Sequence, residues 1–171
     1  VSRKAMNIES FGSERVVLLF NRGLINNIAD IYKIGVENLV NLEGMAEKSA
    51  IKLIESIKQS KNQPFQKVLF SLGIRHVGET VALKLTNHFG SIENIINSNY
   101  DDIMSVDEIG EKIVNSISNY FNNPQNILIV EKLLQVGLNF KTYEKNNKSN
   151  ILDGKTIVIS GTFETLTREK I

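Results

Sequence analysis

One pattern of twelve positions recurs four times along the chain and limits what it can fold into: apolar-x-x-apolar-small-x-x-x-apolar-x-x-apolar. The small residue is Gly12, Ala46, Gly78 and Gly110, at intervals of 34, 32 and 32 residues. Four places before it stand Ile8, Leu42, Ile74 and Val106, and one place before it Phe11, Met45, Val77 and Ile109. Val16, Ala50, Ala82 and Val114 follow at four places, Leu19, Leu53, Leu85 and Ile117 at seven. In a chain with 42% apolar residues, chance does not fill every such slot in all four copies.

The offsets have a direct physical reading. Apolar residues at +4 and +7, continued at +11 by Ile57, Phe89 and Phe121, share one face of a helix that begins just after the small residue. The segment before it, apolar at −4 and −1, is too short for a helix or strand, so it reads as a hairpin turn joining two helices. Gly23, Gly73, Gly90 and Gly137 close apolar runs where a left-handed C-terminal residue is expected. Pro64 reads as a first-turn Pro of the run Phe65 to Leu72, and Ser91 as the N-cap of Ile92 to Asn97. The expected fold is an all-α array over about residues 1–137.

The character then changes. Lys141 to Asn150 is polar and aperiodic and reads as a flexible linker. Beyond it, Asp153-Gly154 makes a turn, and the β-branched run Thr156 to Ile159 ends at Ser160-Gly161, which reads as one strand of a second, truncated unit. The expected domains are 1–140, a linker 141–151, and the start of an α/β unit at 152–171.

Composition removes several classes of chemistry. Without Cys there is no disulfide, thiol nucleophile or Cys-ligated metal within these residues. His76 and His88 form no metal-binding pair, and no metal site is expected. Val16 to Phe20 and Ile127 to Val130 are far too short to span a bilayer, so the chain reads as soluble and intracellular. The 20 Asn, and 15 Lys against 5 Arg, are what AT-rich coding would produce without functional demand.

A helix that starts at a small residue after a tight turn presents unbonded N–H groups and the positive end of its dipole at one point. Four such points at regular spacing suit a polyanion better than a nucleotide. The candidate contacts are Gly12 and Ser13; Gly44, Ala46 and Lys48; Arg75, His76, Gly78 and Thr80; and, more weakly, Gly110 and Lys112. Arg75 and His76 read either as a solvated helix-end cation and a partly packed turn residue or, as the local basic charge favours, as a phosphate or minor-groove partner and its assistant. His88, beside Phe89 on the apolar face near a helix end, reads as structural. Local charge ranks the turns: residues 62–90 carry three basic and one acidic side chain, residues 91–140 two and seven. Asp107 and Glu108 make the fourth turn poor for phosphate, so turns one to three are expected to dominate. Asp101-Asp102 and Asp107-Glu108 read as a solvated acidic face rather than as paired acids or a magnesium site.

Two look-alikes fail on single residues. Gly73 to Thr80 has the glycine spacing of a Walker A loop, but Glu79 stands where that loop needs Lys. Asp153-Gly154 would complete a K-x-D-G nucleotidyl-transfer signature only with Lys at 151, where the chain has Ile151. No catalytic or cofactor-binding residue is therefore expected in this chain.

The turns resemble the helix-hairpin-helix motif, whose amides hold backbone phosphates of duplex DNA without reading sequence. Phe70 to Glu79, FSLGIRHVGE, together with Met6 to Gly12 and Leu42 to Ser49, is similar to the helix-hairpin-helix domain of bacterial NAD-dependent DNA ligases. Leu152 to Phe163, LDGKTIVISGTF, followed by Thr167 to Glu169, resembles the opening of the BRCT-type domain that follows it in that family. The resemblance implies an all-α tandem array of four helix-hairpin-helix motifs and the first strand of a truncated BRCT-like domain. It implies a monomeric, cytoplasmic, nucleoid-associated parent enzyme that seals nicks in duplex DNA during replication and repair. NAD, magnesium and a four-Cys zinc module are implied for that parent, not for this chain. Ala46 and Glu108 depart from the family pattern, which often has Gly at those two positions. In some BRCT-type domains a Ser at the place of Ser160 helps hold a phosphopeptide, a role not expected here because the other ligands would lie beyond Ile171. Two other functions fit the same pattern: a subunit of a junction-processing or excision-repair complex, and a helical protein-interaction scaffold.

Overall fold

The computed structural model describes residues 1–42 and 44–142; Glu43 and residues 143–171, with most of the expected linker and all of the BRCT-like strand, lie outside the described residues. After turns over 3–6, the helices are α1 (Ser13–Asn21), α2 (Val36–Val40), α3 (Glu47–Ser60), α4 (Phe65–Ser71), α5 (Glu79–Phe89), α6 (Ile92–Asn97), α7 (Tyr100–Met104), α8 (Glu111–Phe121) and α9 (Pro124–Gln135). A 3-10 turn at Asp30–Lys33 precedes α2. The fold of the described residues is all-helical, and its one β feature is an isolated antiparallel bridge between Ser91 and Lys141.

The repeat sets this arrangement. Helices α1, α3, α5 and α8 each begin at the residue after Gly12, Ala46, Gly78 and Gly110. Their apolar stripes face inward: Leu19, Leu53, Leu85 and Ile117 are buried, as are Ala50, Ala82 and Val114, while Val16 is half-buried against the same core. Three turns fold a short helix back on a longer one, pairing α2 with α3, α4 with α5, and α7 with α8. The first turn has only the turns over 3–6 before it among the described residues.

The segment after α9 closes the core. Leu138 and Phe140 are buried, and the Phe140 ring lies 6.1 Å from that of Phe65 in α4. The Ile92 amide donates to the Phe140 carbonyl at 3.0 Å, and the Thr142 amide to the Gly90 carbonyl at 2.8 Å. The array thus includes residues past the expected helical limit at 137, because the next few side chains still have core to fill.

The caps agree with the sequence except at one position. Ser91 Oγ accepts the Asn94 amide at 3.3 Å, and Gly23, Gly73, Gly90 and Gly137 all have positive φ. Pro64, however, is the N-cap of α4 rather than its first helical residue, with ψ of 155°. Its fixed φ suits either place, and a Pro at the cap removes no helical bond. The first-turn position is taken instead by Pro124 in α9, behind Asn123, whose Oδ1 accepts the Gln125 amide at 3.0 Å.

Gly73 and Gly78 separate two uses of glycine. Gly73 sits at φ +72° with open space around its Cα, so adding a methyl strains only the backbone. Gly78 has φ of −83° and equally open space. Thermal or denaturant unfolding should therefore show Gly73→Ala destabilised by about 1–2 kcal/mol, and Gly78→Ala unchanged or slightly more stable. Equal losses at both would contradict this assignment.

Candidate nucleic-acid interface

All four turns share one backbone solution. Two residues before each small residue the chain is left-handed, with φ of 57° at Ser10, 75° at Gly44, 65° at His76 and 60° at Glu108. The small residue is then extended and caps the helix: φ/ψ is −75/174 at Gly12, −69/149 at Ala46, −83/−176 at Gly78 and −103/171 at Gly110. Apolar residues at −4 and −1 are buried in every copy. In the last three a 3-10 type bond joins them, from the amides of Met45, Val77 and Ile109 to the carbonyls of Leu42, Ile74 and Val106 at 3.0–3.1 Å. Anchoring these two side chains turns the small residue outward.

The helix starts are bare. None of the four capping residues makes a side-chain cap bond. The amides of Ser13 and Glu14, Glu47 and Lys48, Glu79 and Thr80, and Glu111 and Lys112 have no acceptor among the described residues. Such groups are satisfied by solvent or by an anion. Gly12, Gly78 and Gly110 have ordinary φ, and a Cβ on any of them would meet nothing within 4 Å. Nothing within the described residues requires glycine at these three places. The space over these three residues is open, so a group approaching from outside could come close to the main chain there.

The expected contacts Gly12, Ser13, Gly44, Ala46, Lys48, Arg75, His76, Gly78, Thr80, Gly110 and Lys112 are all exposed. Thr80 lies in a cleft of about 250 Å³ with Lys4, Lys67 and Phe70, and Gly12 borders an open cleft of about 470 Å³ that includes Arg3. These cations escaped the sequence reading because they stand outside the repeating turns. Arg15 escaped it as well: its Nη1 donates to the carbonyl of Ser10 and supports the left-handed residue of the first turn. Its place in the first turn of α1 was the available signal. His88 departs from expectation, being exposed in the last turn of α5 with its ring edge-on to Phe89 at 4.7 Å. Position +10 rotates just off the apolar stripe that Phe89 at +11 continues.

Acidic residues in the first turn oppose an anion at all four helix starts, Glu14 as the second helical residue of α1 and Glu47, Glu79 and Glu111 as the first of theirs. Glu79 is engaged by Lys4 at 3.1 Å. At the fourth turn, Lys84 Nζ contacts Glu108 at 2.9 Å and Asp107 at 3.2 Å. The Glu108 carboxylate, opposed by desolvation and joined by Asp107, holds Lys84 above the ordinary lysine range. Asp101, Asp102, Asp107 and Glu108 are all exposed, as the sequence suggested, and beyond that face Asp102 also caps a helix. The Asp102 Oδ2 accepts the Asn99 amide at 3.0 Å, and the Asp102 amide donates to Asn99 Oδ1 at 2.9 Å, a reciprocal cap on α7. Among the described residues no helix is long and apolar enough to cross a membrane.

Comparison with known proteins agrees with this geometry. Residues 67–130, covering the third and fourth turns, match the family described as "Helix-hairpin-helix motif". The chain is 47% identical over 173 residues to the DNA ligase of Flavobacterium psychrophilum, covering 100% of this chain and 26% of that protein. It is 47% identical over 173 residues to the DNA ligase of Christiangramia forsetii, again covering 100% and 26%. With the DNA ligase of Thermoanaerobacter sp. it shares 39% identity over 169 residues, covering 99% and 26%. The chain spans about a quarter of the length of these relatives. The described residues are therefore all-helical and carry a helix-hairpin-helix motif over residues 67–130, and the chain is similar along its whole length to one segment of bacterial DNA ligases.

Proposed function

We propose that this chain is the duplex-DNA grip of an NAD-dependent ligase that seals single-strand nicks in replication and repair. The observation that carries the reading is the recurrence of one turn at Gly12, Ala46, Gly78 and Gly110, with bare amides at each helix start and open space over the three glycines. Main-chain amides recognise phosphate without regard to base sequence, so the grip is not sequence-specific. Gly12, Ser13, Gly44, Ala46, Lys48, Arg75, His76, Gly78 and Thr80 are its contacts, with Gly110 and Lys112 weaker. Residues 1–140 form the binding unit, 141–151 a linker and 152–171 the start of a BRCT-like domain. The adenylated lysine, the zinc cysteines and the magnesium-dependent step belong to the rest of such a ligase. By itself the chain is a monomer that catalyses nothing, and it acts on nicked duplex in the bacterial cytoplasm, at the nucleoid.

Salt titration tests the grip. Each engaged phosphate contributes about −0.9 to the slope of log K against log salt, so turns one to three together give a slope of about −2.7 or steeper. A slope near zero with a labelled duplex would refute phosphate contact.

A pair of substitutions tests the ranking of turns. Asp is a preferred N-cap, and the space around Gly78 and Gly110 is open. Gly78→Asp and Gly110→Asp should therefore melt no lower than the parent. Gly78→Asp places a carboxylate where phosphate sits and should weaken duplex binding by about tenfold or more. Gly110→Asp should cost less than about threefold, since that turn is already acidic. Equal losses would overturn the ranking.

A further inference from the structure

The first and fourth turns are each held by a helix from the neighbouring motif. At the first, the amide of Glu9, three residues before Gly12, donates to Ser56 Oγ of α3 at 2.7 Å. At the fourth, Asp107 stands three residues before Gly110, and Lys84 of α5 takes the place of Ser56. Lys84 Nζ donates to the Asp107 carbonyl at 3.4 Å and carboxylate at 3.2 Å, and contacts the Glu108 carboxylate at 2.9 Å. The lysine side chain is 24% exposed, against 88% for Asp107 and 72% for Glu108. Lys84 is thus the anchored end, and the acids are drawn to it.

This arrangement answers two difficulties of the fourth turn. Glu108 occupies the left-handed region at φ 60° without being glycine, and the bond to Lys84 favours that conformer. Asp107 and Glu108 would otherwise leave two uncompensated carboxylates beside the bare amides of Glu111 and Lys112. We propose that Lys84 is a positioning residue for DNA, bracing the fourth turn against α5 and offsetting its acids so that the α8 amides can face a phosphate. The inference rests on the duplex-DNA reading above, and it makes the fourth turn a contact that depends on a residue of the third motif.

The full 171-residue chain, a short blunt duplex and anisotropy titrations at several salt concentrations test it. Lys84→Met keeps the aliphatic stem and removes the charge. It should bind about twofold more weakly with an unchanged salt slope, while Lys84→Arg stays near the parent. The double change Asp107→Asn with Glu108→Gln should gain more affinity in the Lys84→Met background than in the parent, the signature of coupled groups. A slope shallower by about 0.9, with equal gains in both backgrounds, would make Lys84 a phosphate ligand and overturn the proposal. Unchanged affinity in Lys84→Met would overturn it as well. Should the parent chain fail to bind duplex, the DNA reading itself falls. The brace is read separately from amide exchange over residues 106–112, which should quicken in Lys84→Met; unchanged exchange there refutes it.

Discussion

The structure depends on a five-residue turn pinned at two buried side chains with a left-handed residue between them. Ile8 and Phe11, Leu42 and Met45, Ile74 and Val77, and Val106 and Ile109 are all buried. Burying each such side chain contributes about 1.5–3 kcal/mol. Holding a non-glycine residue in the left-handed region costs about 1–2 kcal/mol. Two anchors therefore outweigh one strained residue, which is why Ser10, His76 and Glu108 can stand where Gly44 would be easier. With the turn fixed, the next residue is extended, the helix starts immediately, and its first amides face outward.

Those amides change how the charge of the molecule is understood. A formal net charge of +1 gives a polyanion little long-range attraction. The attraction available is local, from helix dipoles and unbonded N–H groups. Glu47, Glu79 and Glu111 stabilise their helices at the N-terminus by about 0.3–1 kcal/mol each, while opposing any phosphate brought to the same point. Where the third and fourth turns carry such acids, the fold supplies a lysine from elsewhere, Lys4 for Glu79 and Lys84 for Asp107 and Glu108.

The repeat made the helix starts at Ser13, Glu47, Glu79 and Glu111 legible before any coordinates, because helical periodicity and capping are set within a few residues. The exposed small positions were legible for the same reason. Local pattern was less informative where two placements satisfy the same constraint. Pro64 fits a cap as well as a first turn, and His88 at +10 differs from the apolar stripe by one residue's rotation.

By itself the sequence determined that four turns would each present a helix N-terminus, since apolar spacing and residue size are local properties. Only the tertiary structure decided which side chains surround them. Arg15 reaches back to the Ser10 carbonyl, Lys4 meets Glu79, Ser56 meets Glu9, and Lys84 meets Asp107 and Glu108. The return of Leu138 and Phe140 to the core was likewise invisible in the periodicity. Most of these contacts join residues 23 or more positions apart. No spacing rule reaches that far, because the packing of one motif on another sets the distance.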